Sequence, residues 1–216
     1  MMVSAENDPR RAGTIWMLNL DEPAPMIQPS ISTTFCPIGS DLLPALSSTG
    51  RGDLEKLLTR FKTGRRCYTA WVRSQLASYG WVSFDEEHIG ELSLRIRLLP
   101  GEVYIWDCGT IPAFRQNHLY SALLSYMIAE LRAEGYCRAW IGADMDNEPS
   151  QRGIARAGFH HVADLVMARV LTLRQVWVQG QPGVPEHIVA EARRAFLNDR
   201  DKVWKTAASS VGKTRD

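Results

Sequence analysis

The feature that most constrains this chain is the run from Leu119 to Glu134, LYSALLSYMIAELRAE. Leu119, Leu123, Met127 and Leu131 recur every four residues, and Leu124 and Ile128 widen the stripe. That period is helical, and an apolar stripe of this width has to lie on a core. Gly135 supplies the stop. A strand-like run, Val103 to Cys108, precedes this helix, and a second, Cys137 to Met145, follows it. The helix therefore sits between two strands.

The rest of the chain extends this pattern. The first ten residues read as loose, and Thr14 to Leu20 reads as an added strand, followed by the breaker DEPAP. Met26 to Phe35 reads as a strand whose Pro29 puts it at a sheet edge or bulge. Asp41–Leu46 and Asp53–Phe61 read as helical pieces, with Asp53 a candidate N-cap. Cys67–Val72 and Leu76–Phe84 are rich in aromatic and β-branched residues, and Arg73-Ser74-Gln75 joins them as a hairpin. Ile89 to Leu99 alternates in strand fashion, and Pro100-Gly101 turns the chain into the next strand. Asn147 starts a short helix that stops at Gly158. His161 to Val178 holds two more strands, Pro185 to about Lys205 is helical in pattern, and the tail beyond Thr206 reads as disordered. The order predicts an α+β fold with a mixed, mostly antiparallel central sheet flanked by helices. It divides into an extension over residues 1–25, a principal domain over 26–178, and a C-terminal helix and tail over 179–216.

Composition narrows the function. At 216 residues with 45% hydrophobic and 23% charged residues, the chain has the make-up of a globular domain with a full core. A net charge of +1 gives no reason to expect a nucleic acid or an anionic membrane as partner. No apolar run approaches the ~18 residues of a membrane span, and no leader pattern opens the chain, so the cytoplasm is the expected location. Cys36, Cys67, Cys108 and Cys137 form no C-x-x-C pair, so neither a metal site nor a disulfide framework is expected.

The chemistry-bearing stretch is Val103 to Phe159. A strand ends at Cys108-Gly109-Thr110-Ile111-Pro112, and a loop from Ala113 to His118 leads straight into the long helix. A helix N-terminus presents unpaired N–H groups and partial positive charge, which suits a phosphate. Arg115 in the loop adds a full charge.

PAFRQNHLYSALL (Pro112 to Leu124) resembles the segment P-x-x-R-G-x-G-x-G/A-x-x-L-L of the GNAT superfamily of acyl-CoA-dependent N-acyltransferases. Downstream, NEPSQRGIARAGF (Asn147 to Phe159) resembles that family's N-x-x-S/A…G-F ending, in the expected order. The resemblance covers Cys67 to Val178, about half the chain. It implies a GNAT-like sheet and binding of acetyl-CoA or another acyl-CoA across two splayed central strands. The edge Cys108, Gly109, Thr110 and Ile111 would then pair with the pantetheine arm. Backbone amides of Arg115, Gln116, Asn117, His118, Leu119 and Tyr120 would cup the pyrophosphate, and Asn147 and Ser150 would lie near the thioester or the pantetheine. The acyl group would pass directly to an amine, on a small molecule or a peptide.

Four positions depart from the pattern. Gln116 and His118 stand where the family has glycine, favoured for its dihedral freedom, and Tyr120 stands at a further small position. The His118 ring either adds a donor to the pyrophosphate or blocks the site. Many members also carry a Tyr seven residues after the Asn to protonate the leaving thiolate; here that residue is Ile154. With thiol pKa values near about 8.5, such an acid is helpful but dispensable.

A base is also required. Asp107, beside the expected cofactor edge, is the first candidate, with Glu91 and Glu102 next. A hydrogen-bonded strand end for Asp107 and solvated positions for the two glutamates are the competing readings. Trp81 or Trp106 could line an acceptor pocket. Gly212-Lys213-Thr214 lacks the first glycine and the strand–helix context of a phosphate loop. Two alternatives stay open: a noncatalytic GNAT-fold module that binds a ligand or partner through a degenerate CoA loop, and a transferase using another donor, such as an aminoacyl carrier. The sequence leaves open whether the terminal additions cover an edge strand or make a homodimer contact.

Overall fold

The computed structural model describes residues 9–50, 52–89, 94–170 and 173–197. The chain runs β1 (Arg10–Asn19), β2 (Thr34–Ile38), α1 (Leu43–Ser47), α2 (Leu54–Lys62), β3 (Arg66–Val72), β4 (Gln75–Ser83), β5 (Glu86–Ile89), β6 (Leu94–Arg97) and β7 (Glu102–Thr110). It continues through α3 (Leu119–Ala133), β8 (Arg138–Asp144), α4 (Glu148–Arg156), β9 (His160–Val170), β10 (Leu173–Gly180) and α5 (Glu186–Phe196).

Eight strands form one sheet in the order β10-β9-β1-β8-β7-β4-β3-β2, and β5 and β6 form a separate hairpin. Every neighbouring pair in the large sheet is antiparallel except β7 and β8, which are parallel. A parallel pair needs a crossover, and α3 provides it. The fold is thus α+β with a mostly antiparallel central sheet flanked by helices.

Burial follows the leucine repeat. Leu119, Leu123, Leu124, Met127, Ile128 and Leu131 of α3 are buried. With Ile154 of α4 the last five cover one face of the sheet at Val82, Val103, Ile105 and Ile141, while Leu119 packs with Val72 and Ala77. Each such side chain contributes about 2 kcal/mol on leaving water. On the other face α5 sets Phe196 edge-on against Tyr104 and Trp140, with ring centroids 5.8 and 5.9 Å away. The helices α1 and α2 cover Cys67, Tyr79 and Trp81.

Two elements differ from expectation, and two strands take places that their sequence patterns leave open. The strand β1, within the segment 1–25 that reads as an extension, lies inside the sheet between β8 and β9, buried on both faces. Residues 26–33 are not a strand. Pro29 has no N–H to offer a ladder, and the amides of Ile27 and Ser30 bond Ser125 Oγ of α3 and the Asn117 carbonyl. The alternating run after Ile89 contributes β6 to the small hairpin, with Leu94 and Ile96 buried and Arg95 and Arg97 exposed. The C-terminal helix ends at Phe196, and residues 198–216, with Gly212-Lys213-Thr214, lie outside the described residues. Among the described residues no helix is long and apolar enough to cross a membrane.

Candidate active site

The site grows from a fork in the sheet. β7 and β8 pair only from Glu102–Ile105 to Arg138–Ile141. Beyond that point β7 stays paired to β4 as far as Thr110, and β8 stays paired to β1 as far as Asp144. The two strands therefore part, and the edge of β7 from Trp106 to Thr110 that faced β8 has lost its partner strand. Burial changes at the same place: Glu102 to Ile105 are buried, and Trp106 to Thr110 are half-buried. An unpaired strand edge in a cleft is a ready partner for an extended amide-bearing ligand.

A bulge shapes this edge. Tyr79 pairs with Gly109 and Trp81 with Trp106, so β7 carries one extra residue against Gly80. Asp107 absorbs it with φ of 40°. The bulge turns Cys108 inward to where a Cβ on Gly80 would meet its sulfur at 2.8 Å, so residue 80 has no room for a side chain. Burial pushes the Cys108 thiol well above its ordinary range, with the Asp107 charge adding to the effect. It is a packed thiol, not a nucleophile. Ser78 Oγ donates to the Gly109 carbonyl at 2.8 Å and lies 3.1 Å from Thr110 Oγ1; the Ile111 amide bonds the Ala77 carbonyl.

After a 3-10 turn at Pro112–Phe114 the loop makes its two unusual turns. Gln116 has φ of 66° and His118 has φ of 58°. The residues at the expected glycine positions thus adopt glycine's left-handed backbone, at roughly 1–2 kcal/mol of strain each. Asn117 holds the loop by donating from Nδ2 to the Phe114 and Arg115 carbonyls, and Arg115 Nε reaches the Thr110 carbonyl at 3.4 Å. Leu119 is buried and starts α3.

The His118 ring is turned towards α4, where Arg156 donates from Nη1 to its Nδ1 at 2.6 Å. Arginine has only N–H groups to offer, so in this contact the ring nitrogen is the acceptor. Arg115, His118 and Arg156 are all exposed and gather at the N-terminus of α3. Arg156 was not among the expected site residues, because nothing local links it to a loop 38 residues away.

Tyr120 projects from the first turn of α3 onto α4. Its hydroxyl lies 3.2 Å from Ser150 Oγ, and burial drives its phenol well above the ordinary range, so it stays protonated. Asn147 Oδ1 accepts from the Ser150 amide at 3.2 Å, capping α4. The tyrosine ring fits only because residue 153 is glycine, where a Cβ would come within 2.4 Å of Tyr120 Cδ1. Gly153→Ala is expected to cost about 2 kcal/mol through overpacking, measurable by urea unfolding. Adding Tyr120→Ala should remove much of that cost; a Gly153→Ala penalty that persists there would point to the helix backbone instead.

The carboxylate candidates separate. Asp107 Oδ2 accepts from Arg60 Nη1 at 2.5 Å, in a pair about one quarter exposed on both sides. Glu102 is 3% exposed at the opposite end of β7. It binds Arg194 through both oxygens at 2.7 and 2.6 Å, meets Arg138 at 3.3 Å, and accepts from the Leu99 amide at 2.9 Å. The expected solvated turn is instead a buried ionic knot, remote from the fork. Glu91 lies outside the described residues. Among the described residues, no three His, Cys, Asp and Glu side chains group as metal ligands would.

A family model described as the acetyltransferase (GNAT) family matches residues 51–159. An acetyltransferase of the GNAT family from Colwellia psychrerythraea shares the fold with TM-score 0.55 at 11% identity, over 82% of this chain and 58% of its own. A GCN5-related N-acetyltransferase from Sphaerobacter thermophilus does so with TM-score 0.53 at 16% identity, over 72% of this chain and 50% of its own. The chain thus spans little more than half the length of these two proteins. Among curated protein sequences none gives a significant match. The forked parallel strands and the left-handed loop at Gln116 and His118 fit that family match, and the chain belongs to the GNAT family of acetyltransferases.

Proposed function

We propose that the chain is an N-acyltransferase that moves an acetyl or other acyl group from acyl-CoA directly to an amine on a small molecule or a peptide. The observation that carries this reading is the fork: β7 leaves β8 after Ile105 and keeps an unpaired edge beside a loop with glycine-type backbone. The residues present fit the donor. The edge Cys108–Ile111 offers main-chain groups to amides of an extended arm. The amides from Gln116 to Tyr120 would face the pyrophosphate with the helix dipole behind them, whereas the Arg115 amide is bonded to the Pro112 carbonyl. Arg115 and Arg156 add two full charges, and the His118 ring lies beside them.

When bound, acyl-CoA supplies a thioester whose carbonyl carbon accepts the amine nitrogen while the sulfur leaves with the electron pair of the broken bond. Asp107 takes the proton shed by the amine, directly or through water. Tyr120 packs the start of α3 onto α4 beside Ser150, and burial makes its phenol too weak an acid to serve the departing thiolate; with thiol pKa values near about 8.5, that thiolate leaves without a general acid. Asn147 serves by fixing the first turn of α4, and so the position of Ser150.

Calorimetric titration with acetyl-CoA tests the reading. Micromolar binding is expected, weakened about tenfold or more in Arg115→Ala, since a hydrogen bond to a charged group contributes about 1.5–3 kcal/mol. Absence of binding to acetyl-CoA and longer acyl-CoAs would sink the proposal. Binding with no transfer to any amine in a broad acceptor screen would favour a noncatalytic module.

A further inference from the structure

On the sheet face opposite α3, α2 lays Arg60 across two strands. Its guanidinium carbon lies 4.9 Å from the ring centroid of Trp81 and 4.5 Å from that of Trp106, and Nη1 reaches Asp107 at 2.5 Å. Two indole rings and one carboxylate make a cation-binding box. Its walls are fixed from behind. Trp106 Nε1 donates to Ser83 Oγ at 2.9 Å, Ser83 Oγ donates to Glu87 Oε2 at 2.5 Å, and Arg65 Nε donates to the same oxygen at 3.0 Å. Phe61 meets Trp81 edge-on at 5.1 Å. The floor is rigid, yet its occupant is a long side chain at the mouth, with Arg60 and Asp107 each about one quarter exposed. An ion pair one quarter exposed at the mouth still meets solvent, which screens it, and a guanidinium on a flexible stem can move into water without being buried elsewhere.

We propose that Trp81, Trp106 and Asp107 form the acceptor site, that it takes a cationic primary alkylamine, and that Arg60 is a resident cation which the incoming ammonium replaces. The proposal rests on the acyltransferase reading for its link to the reaction. Trp106 and Asp107 immediately precede Cys108, where the edge assigned to acyl-CoA begins, so an ammonium in the place of Arg60 stands beside both the base and the donor. The exchange explains why the carboxylate best placed to be the base is covered by an arginine: the cover keeps the box filled until a substrate cation arrives. It also sets the substrate class, because a neutral or anionic acceptor gains nothing from displacing Arg60.

The test is titration of the intact chain with n-butylammonium chloride, without any acyl donor, followed by tryptophan fluorescence. Saturable quenching is expected in the wild type and at least tenfold tighter in Arg60→Ala. Arg60→Lys should behave like the wild type because it refills the box, and adding Asp107→Asn to Arg60→Ala should abolish the response. Arg60→Gln keeps the stem over the indoles while removing the charge, and gives the same comparison should Arg60→Ala lower stability. n-Butanol should not quench. Equal affinities in the wild type and both neutral variants, or no saturable response in any of them, would make Arg60 a structural clamp and overturn the proposal. No acyl-CoA enters this titration, so loss of the donor reading cannot imitate its failure. A responsive box in a protein that binds no acyl-CoA would remove its role as acceptor site.

Discussion

Asp107→Asn is expected to lower kcat for acyl transfer by about 10²–10⁴-fold while leaving the KM for acyl-CoA little changed, the effect of deleting a general base. Asparagine suits the test on three counts. It has nearly the shape of aspartate, its Oδ1 can still accept from Arg60, and it tolerates the left-handed backbone that the bulge requires at φ of 40°. Folding should therefore survive, and near-unchanged thermal unfolding would establish that the lost rate is chemical. The pH profile separates two roles. If the carboxylate removes a proton from the acceptor, the deficit of the variant shrinks as pH rises towards the ammonium's own pKa, near about 10.4 for an alkylamine. A deficit that stays constant with pH and comes with a raised acceptor KM would mean that Asp107 only holds the amine. Full activity in Asp107→Asn would remove it from the mechanism.

What the sequence discloses depends on how local the information is. The α3 stripe is readable because its period and Gly135 lie within one element. The β3–β4 hairpin is readable for the same reason, with Arg73 and Ser74 taking φ of 49° and 64° at its two-residue turn. The place of β1 is not readable. Its apolar run identifies a strand, but the slot between β8 and β9 is fixed by pairing with residues more than a hundred positions away. Composition misleads at residues 26–33, where Ile, Ser and Thr suit a strand and the amides bond α3 and its loop instead. In the site, the missing glycines are visible in the sequence, whereas the left-handed backbone at Gln116 and His118 is a property of the folded loop. Arg60 is concealed for a related reason. On α2 it reads as one more charge on a polar face, and only the fold brings it to a carboxylate 47 residues onward.

Glu102→Ala is expected to destabilise the protein by about 3 kcal/mol, which for a chain of this size lowers Tm by roughly 6–12 °C. Breaking a buried ion pair by removing one partner typically costs about 3–5 kcal/mol, because the other charge is stranded. The low end applies here, since Arg194 and Arg138 keep 33% and 21% of their side-chain exposure and can recover some water. The Leu99 amide also loses its acceptor. Because Arg194 belongs to α5, the substitution loosens the helix that covers the second face of the sheet, although Phe196 still packs on Tyr104 and Trp140. Glu102→Gln keeps the shape and an acceptor for Leu99, so a smaller loss of about 1–2 kcal/mol is expected. The same variants settle which carboxylate belongs to the chemistry. Glu102 lies five residues before Asp107 on β7, roughly 17 Å at the rise of a strand. Well below its Tm, Glu102→Ala should therefore transfer acyl groups with a kcat within about twofold of the wild type. A stable Glu102→Ala protein with kcat reduced a hundredfold would return Glu102 to the catalytic candidates and contradict the remote placement that the buried arginines give it.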